Sequence, residues 1–187
     1  SPANMRRKLY TLIDAEIENA KNKLPAYMLC KINNLVDEEM IHKLYQASKA
    51  GVKIKLVARG ICSLVPGIAG QSENIEVVSV VDRLLEHSRI FIFCNNSDER
   101  YFISSADWMT RNLDYRIEVA TPVYDENNKK ELKRIVEAAL NDNVKARIVN
   151  PKQDNTFKNV KAKIPYRSQM ELYNYYLSSG NQKTEKN

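Results

Sequence analysis

The sequence predicts a single α/β domain in which helices flank a mixed β-sheet. Amphipathic helical segments alternate with short apolar strands along most of the chain, a pattern typical of one sheet covered by helices. The 187 residues, 43% of them hydrophobic, suffice for one core of ordinary size. Neither an internal repeat nor a clear boundary divides them. We therefore expect one domain over residues 1–177, followed by a polar tail, 178–187, that is disordered.

The first half of the chain alternates helices with strands. Residues 5–21 place apolar side chains at steps of three and four, which predicts a helix with one buried face. "PAYMLCKI" predicts a short buried strand, and the alternation in "VKIKLVA" predicts a second one. Between them, "NNLVDEEMIHKLYQASKAG" predicts an amphipathic helix that closes at Gly51.

The second half begins with strands and ends with helices. Apolar runs predict strands in "IEVVSVV", "RIFIFC", "RYFIS" and "RIEVATPV", with "CNNSDE" as the hairpin turn between the second and third. We expect Pro122 to stop the last of these strands. Asp125 is expected to cap a helix over 126–142, and "VKARIV" and "PYRSQMELYNYYL" predict a final strand and helix. The inward face of the capped helix is expected to carry Leu132, Ile135, Val136, Ala139 and Leu140.

The formal net charge of +6 indicates an anionic partner or an anion-binding face, although charges scattered over solvated helices give the same total. Its distribution is more informative. Between residues 150 and 167, five basic residues stand against the single acid Asp154, which predicts a basic patch or a flexible basic loop. The five are Lys152, Lys158, Lys161, Lys163 and Arg167.

Several features bear on the cellular setting. No apolar run approaches the roughly 20 residues of a membrane span. The three cysteines, Cys30, Cys62 and Cys94, are widely spaced and form no C-x-x-C pair, so the sequence predicts neither a disulfide framework nor a zinc site, and a reducing cytoplasm fits best. The start, "SPANMRRKLY", has no methionine and no apolar signal core, and we expect the chain to be a segment of a longer polypeptide.

Polar clusters follow the predicted strands at the places where open α/β sheets bind ligands: "KINN", "ARG", "EHSR" and "SSADW" with "DYR". Each cluster alone has a structural interpretation. Lys31 and Asn33 could be a strand end and a helix cap, Arg59 a surface ion-pair residue, and His87 a structural histidine. Their convergence at one sheet edge favours a site. The other histidine, His42, lies among acidic residues of a helix, where a solvated role is expected.

The spacing His87-x-Arg89, followed after a hairpin by Ser104-Ser105-Ala106-Asp107, is a layout suited to phosphate. An imidazole can attack a phosphoryl oxygen or donate a proton to it, a guanidinium can neutralise its charge, and serine hydroxyls can donate hydrogen bonds. The pattern "EHSRIFIF…YFISSADW" resembles the H-x-K…G-S-x-N motif of the phospholipase D superfamily. Arg89 stands at its lysine position, Ser104 at its glycine position and Asp107 at its asparagine position.

Longer blocks extend this resemblance. "KINNLVDEEMI", "VARGICSLVPGI", "SENIEVVSVVDRLLEHSRIFIF" and "YFISSADWMTRNLDYRIEVATPVYD" occur in this order, and together they closely resemble the C-terminal, phospholipase D-like domain of the polyphosphate kinase family. The resemblance covers residues 1–177. It implies reversible transfer of the terminal phosphate of ATP to inorganic polyphosphate, with ATP or ADP and the polymer as partners and Mg²⁺ as a cofactor whose contacts come mainly from outside this segment.

The resemblance also implies residue roles. The active site would form where two such domains meet, with the phosphorylated histidine in the preceding domain and His87 as the second histidine. Arg59 and Arg116 would bind phosphate groups. It implies a homo-oligomer for the full-length enzyme, a cytoplasmic location or membrane association through that enzyme, and an isolated chain that is inactive. Possible supporting residues are Lys31, Asn33, Arg89, Ser104, Ser105 and Asp107.

Two other functions remain open from the sequence. A single-motif phosphodiesterase could complete its site by pairing two identical chains, although Arg89 and Asp107 argue against it. A nucleic-acid-binding module could use the basic 150–167 stretch together with exposed aromatic rings, although nucleic acid is the less favoured partner. The tyrosines in question, which at helical spacing are more often core or interface residues, are Tyr166, Tyr173, Tyr175 and Tyr176.

Overall fold

A seven-stranded mixed sheet organises the molecule in this computed structural model, which describes residues 3–158 and 164–184, the last six of them by their backbone alone. The strands are β1 Tyr27–Ile32, β2 Lys53–Ala58, β3 Ile75–Val80, β4 Ile90–Phe93, β5 Arg100–Ser104, β6 Ala120–Val123 and β7 Ala146–Val149. The helices are α1 Met5–Lys21, α2 Glu38–Lys49, α3 Glu126–Asn141 and α4 Ser168–Thr184, with a short π-helix at Arg111–Tyr115.

The sheet has the order β6-β5-β4-β1-β2-β3-β7. Strands β1, β2 and β3 are parallel, and every other neighbouring pair is antiparallel. Consequently the C-terminal ends of β1, β2, β3 and β5 meet the N-terminal ends of β4, β6 and β7 at one edge. We call it the upper edge; its residues are Ile32, Ala58, Val80, Ile90, Ser104, Ala120 and Ala146.

Helices cover both faces of the sheet. On one face α1 and α2 pack over the larger core, in which Phe91 and Trp108 are fully buried with ring centroids 5.2 Å apart. On the other face α3 packs over a smaller cluster that includes Val57, Val78 and Val136. None of the helices in the described part of the chain is long and apolar enough to cross a membrane.

The predicted elements are present, with differences of a few residues at their ends. Asp125 caps α3 by accepting a hydrogen bond from the backbone N–H of Asn128 at 2.8 Å. The strand expected over 116–123 begins only at Ala120, because the π-helix at Arg111–Tyr115 precedes it. Pro122 does not stop that strand but lies within it, opposite Phe102. An edge strand accommodates a proline because one side of it needs no N–H for the ladder.

The C-terminal prediction differs from the structure. Helix α4 continues past Leu177, where the domain was expected to end, as far as Thr184. Residues 178–184, expected to be disordered, are therefore helical, since adding residues to a helix already formed costs far less than starting one. Residues 185–187 lie outside the described part of the chain.

Arg6 joins three elements near the N-terminus. Its guanidinium donates to both carboxylate oxygens of Asp37, at 2.6 and 2.8 Å, and to both of Asp114, in the π-helix, at 2.5 and 2.8 Å. Asp37 also caps α2 by accepting from the backbone N–H of Met40 at 2.9 Å. Burial by itself would raise the pKa of Asp37, but the hydrogen bonds from Arg6 and Thr110 hold that pKa below its usual value.

Replacing this arginine should destabilise the fold. In Arg6→Ala the buried Asp37 carboxylate loses its principal partner, and we expect the free energy of unfolding to fall by about 2–3 kcal/mol at neutral pH. Arg7→Ala, an exposed neighbour on α1, should change it by less than about 0.5 kcal/mol. Denaturant unfolding of both variants measures the difference.

The difference in unfolding free energy between Arg6→Ala and the parent chain should depend on pH. Because the folded-state pKa of Asp37 is lowered, its contribution to stability is present above the unfolded-state pKa of about 3.9 and is lost as pH falls through the folded-state pKa. The stability gap between Arg6→Ala and the parent chain should therefore narrow in acid. An equal gap at neutral and strongly acidic pH would contradict this assignment.

Candidate functional site

The segment that leaves β1 forms the centre of the upper edge. Leu35 bridges to Cys62 on one side and to Trp108 on the other, so residues 33–36 lie between the segments that follow β2 and β5. The backbone N–H of Leu35 donates to the carbonyl of Ile61 at 2.8 Å, and that of Trp108 donates to the carbonyl of Asn34 at 3.1 Å. Polar side chains from three separate parts of the sequence are thereby brought together.

Asp107 is the hub of this cluster. It is 4% exposed. Its Oδ1 accepts from the backbone N–H of Asn33 at 2.9 Å and from Arg89 Nε at 3.0 Å. Its Oδ2 accepts from Asn34 Nδ2 at 3.0 Å and from Arg89 Nη2 at 3.2 Å. Burial favours the neutral acid, yet these donors outweigh it and hold the pKa of Asp107 below its usual value, so the group is a carboxylate at neutral pH.

Arg59 enters the same network through Asn33. Its Nε donates to Asn33 Oδ1 at 2.9 Å, while the amide nitrogen of Asn33 lies 3.3 Å from Asp107. Gly60, the next residue, packs closely against the segment after β1, because a Cβ at that position would lie 2.7 Å from Asn34 Oδ1 and 3.1 Å from the carbonyl oxygen of Asn33.

His87 lies against Arg89. Arg89 Nη1 donates to the backbone carbonyl of His87 at 3.1 Å, and Nη1 and Nη2 lie 3.3 Å from the two ring nitrogens, Nδ1 and Nε2. A neutral imidazole has one acceptor nitrogen, so at most one of these ring contacts is a hydrogen bond, and the pair of contacts holds the planar groups side by side. The ring is exposed, which leaves it free to meet a substrate.

The loop that carries His87 is hydrogen-bonded to residues at the start of α4, a connection that the sequence does not predict. Arg167 makes two bonds to Asp82, at 2.6 and 2.7 Å. The side chain of Gln169 accepts from the N–H of Leu84 at 2.8 Å and donates to the carbonyl of Leu84 at 2.8 Å and to Glu86 at 2.9 Å. These partners lie 83 to 85 residues apart, and no local sequence signal links them.

Lys31, on β1, also contacts the loop that carries His87. Its side chain is almost fully buried, and its Nζ lies 2.9 Å from Glu86 Oε2, one residue before His87. Besides lying near the end of β1, Lys31 therefore anchors the loop that carries His87.

The serines and Arg116 lie farther along the upper edge. The hydroxyl of Ser104 donates to the carbonyl of Val119 at 3.1 Å, and that of Ser105 is bonded to Glu118. These bonds hold residues 116–119 against the end of β5. Arg116 is exposed in that segment, and among the described residues no contact joins its side chain to the Asp107 network.

The structure also describes His42 and several of the tyrosines and basic residues considered for nucleic-acid binding. His42 is exposed on α2, as expected. Tyr175 belongs to the interface between α3 and α4, where its hydroxyl donates to Glu131 at 2.6 Å and its ring centroid lies 3.9 Å from the Arg134 guanidinium. Of the basic stretch, Arg167 is paired as described above, Lys158 is bonded to the carbonyl of Leu140, and Lys161 and Lys163 lie outside the described residues.

A cavity of about 710 Å³ lies elsewhere, at the opposite edge of the sheet under α3. Its lining is largely apolar, and three of its lysines have neighbours of their own: Lys53 with Asn74, Lys55 with Glu76, and Lys133 with Glu99. The upper edge has the chemically active side chains, and we take it as the candidate site.

The carboxylates of the upper edge do not fit a magnesium site. Mg²⁺ requires oxygen ligands free to coordinate it. The oxygens of Asp107 are occupied by N–H donors, and Glu86 is bonded to Lys31 and Gln169. Within residues 3–158 and 164–184, no group of three or more His, Cys, Asp or Glu residues is arranged to hold a metal ion.

Comparison with known proteins places this site in a family. The family described as "Polyphosphate kinase C-terminal domain 2" matches residues 1–169. Polyphosphate kinase of Escherichia coli (strain K12) is 46% identical over 178 residues, which are 95% of this chain and 26% of that protein. A crystal structure of polyphosphate kinase from Porphyromonas gingivalis superposes with a TM-score of 0.92 at 46% identity, covering 96% of this chain and 28% of the other.

A more distant likeness concerns the fold. Nuc of Salmonella typhimurium, a phospholipase D family member, has a TM-score of 0.52 at 13% identity and covers 72% of this chain and 88% of its own, which supports a phospholipase D-like fold. The chain spans about a quarter of the length of the E. coli relative. Since the family description covers most of the chain and the relatives match nearly all of it, the chain belongs to the polyphosphate kinase family, as its C-terminal domain 2.

Proposed function

We propose that this domain contributes to reversible transfer of the terminal phosphate of ATP to inorganic polyphosphate. It supplies the second active-site histidine, His87, and the phosphate-binding arginines Arg59 and Arg116. The observation that carries the proposal is the exposed His87 ring, held against Arg89 in the same bonded network that positions Arg59. The names of the family members supply the substrates.

The arginines suit phosphate groups because their charge is available. Within the described part of the chain, no acidic side chain forms an ion pair with Arg59 or Arg116. A guanidinium without a carboxylate partner can bind phosphate oxygens through two parallel hydrogen bonds. ATP or ADP and the polymer end are the ligands that require such groups, because charge on the transferred phosphoryl oxygens must be stabilised.

His87 fits an acid–base role. An imidazole can donate a proton to a leaving phosphoryl oxygen or remove one. Transfer through a covalent phosphohistidine needs a nucleophile besides this acid–base group, and the other histidine of the chain, His42, lies on α2 and not at the upper edge. We infer that the nucleophile comes from a preceding domain of a longer polypeptide, which is homo-oligomeric and cytoplasmic.

Magnesium belongs to that larger site. When bound with ATP it would neutralise charge on the phosphate groups. At the upper edge the oxygens of Asp107 and Glu86 are already bonded to N–H donors, so this domain's own part is to orient phosphate through its arginines and to move a proton at His87. No step at this edge is assigned to the metal.

The rival functions have less support. A phosphodiesterase formed by two identical chains would cleave a diester without metal, but Arg89 and Asp107 depart from the motif it would use, and a fold likeness at 13% identity is no evidence of activity. A nucleic-acid module is disfavoured because Tyr175 is committed to the α3–α4 interface and Arg167 to Asp82. Competition between polyphosphate and single-stranded DNA, measured across a salt series, separates these functions.

The upper edge should bind inorganic phosphate. We expect titration of the isotopically labelled chain to shift the NMR signals of the His87 ring and of the backbone around Arg59 and Arg116. Arg59→Gln should weaken this binding about tenfold, since it removes a charge-assisted hydrogen bond. Arg100→Gln, at the opposite edge of the sheet, should change it less than about twofold because of screening over that distance. Unaltered affinity in Arg59→Gln would contradict the assignment.

The histidine should matter for turnover within a complete enzyme. We would build a chimera in which this chain replaces the matching segment of the E. coli relative, and measure polymer synthesis from ATP. His87→Ala should lower kcat by about a hundredfold or more, since it removes an acid–base group, while the fold is retained. His42→Ala, the matched control, should stay within about twofold. Normal turnover in the His87→Ala chimera would remove this histidine from the mechanism.

The chain alone should not make polymer. Incubated with labelled ATP and Mg²⁺, it should form neither acid-labile protein phosphate nor polyphosphate, because one site histidine cannot be both nucleophile and acid. Gel analysis after acid and alkali treatment reads out both products. Phosphate attached to His87, or polymer formed by this chain, would reverse the roles proposed for the two histidines.

A further inference from the structure

The ion pair between Arg89 and Asp107 sets these two residues apart from the other polar groups of the upper edge. Arg89 directs Nε and Nη2 to the two oxygens of Asp107 in parallel, at 3.0 and 3.2 Å. Its side chain is 12% exposed and that of Asp107 is 6% exposed. Such a two-bond pair fixes the plane of the guanidinium as well as its position. Arg89 is therefore immobilised on the side facing Asp107.

The remaining donors of Arg89 face His87. Nη1 donates to the carbonyl of His87 at 3.1 Å, and the two terminal nitrogens lie 3.3 Å from the ring nitrogens. A guanidinium has five N–H donors. Two are used on the carboxylate and one on the carbonyl, and the other two lie at the imidazole. The imidazole can accept only one of these last two, and the N–H that remains points at the ring, so a phosphate could reach it only by displacing the ring.

Arg89 also differs from Arg59 in its charge balance. The charge of Arg89 is neutralised by a buried carboxylate, whereas no acidic side chain among the described residues is paired with Arg59. Arg59 bonds to a neutral amide oxygen, that of Asn33, through Nε. Its terminal nitrogens keep their charge for a ligand. Two arginines of one network thus have different capacities for binding an anion.

From this contrast we propose that Asp107 is a positioning residue that acts through Arg89 to fix the His87 imidazole, and that Arg89 does not bind the phosphate. This role differs from the phosphate-neutralising one that the sequence suggests for Arg89, because Asp107 already occupies the guanidinium. The inference rests on the proposed function only in taking His87 as the acid–base group. The geometric part, from Asp107 through Arg89 to the ring, is a property of this chain.

His87 needs such support because of where it lies. The ring is exposed on an irregular loop between β3 and β4, and the nearest anchors of that loop, Glu86 with Lys31 and Gln169, hold the residue before it. An exposed side chain on a loop samples several rotamers unless a neighbour restricts it. Proton transfer depends on placing the ring nitrogen within hydrogen-bonding distance of the reacting oxygen. The fixed guanidinium provides that restriction.

A charge-conserving double variant tests the proposal. Arg89→Gln combined with Asp107→Asn removes one positive and one negative charge and leaves two amides able to bond to each other. We expect the His87 ring to lose order, seen by NMR as averaged ring shifts and faster ring motion. Phosphate affinity should stay within about threefold, because the amide oxygen introduced at position 107 can still accept from the backbone N–H of Asn33, whose side chain holds Arg59. Arg59→Gln, the matched control, should show the opposite pattern: an ordered His87 ring with phosphate binding weakened about tenfold.

Turnover in the chimera with the E. coli relative separates this inference from the proposed function. The double variant should lower kcat about tenfold or more with KM for ATP within about threefold, whereas Arg59→Gln should raise KM. Where the double variant does not fold, Arg89→Lys gives the same test, since lysine keeps the charge but cannot make both bonds and the ring contact.

Two results would overturn the inference: a His87 ring that stays as ordered as in the parent chain, or phosphate affinity that falls about tenfold in the double variant, as it would if Arg89 bound phosphate. A different result bears on the proposed function alone. Normal turnover in His87→Ala, together with loss of ring order in the double variant, would leave the positioning role intact and remove the histidine from catalysis.

Discussion

A buried carboxylate holds the upper edge together. Asp107 lies between two fully buried residues, Ala106 and Trp108, so its backbone is fixed by the core while its side chain collects donors from the ends of β1 and β4. An ionised group in such a place is tolerated only because several N–H groups surround it. The bonds that stabilise the buried carboxylate therefore also fix the site, because they hold Arg89 directly and Arg59 through Asn33.

Much of this arrangement could be predicted from the sequence because its parts are local. The alternation of apolar residues located the strands within a few residues, and the polar clusters follow directly where those strands end. Because Arg59, His87 and Asp107 each stand within a few residues of a strand end, the convergence of strand ends at one edge brings them together. The family resemblance supplied the proposed substrates, which no spacing or periodicity contains.

The rest depends on contacts between distant segments. The anchoring of the histidine loop by Arg167 and Gln169 joins residues more than 80 positions apart, and neither residue stands out in its own neighbourhood. The pairing of Arg89 with Asp107 was also hidden, because a sequence lists charges without saying which ones neutralise each other. The prediction that Pro122 ends its strand was wrong because it used local propensity alone. Proline is excluded from central strands, and only the topology shows that β6 is an edge strand.

That proline limits how the sheet can associate with other chains. A strand docking alongside β6 would find a missing N–H donor at Pro122, and a strand docking alongside β7 would find residues 156–158 already bonded there, with Ile148 N–H donating to Thr156 at 2.9 Å and Lys158 N–H donating to Ala146 at 2.8 Å. Extension of the sheet by a further strand is therefore unfavourable at both margins. Contacts with any other domain or chain would have to be made by side chains and loops, and such contacts, unlike continuous backbone ladders, can open and close without breaking a sheet.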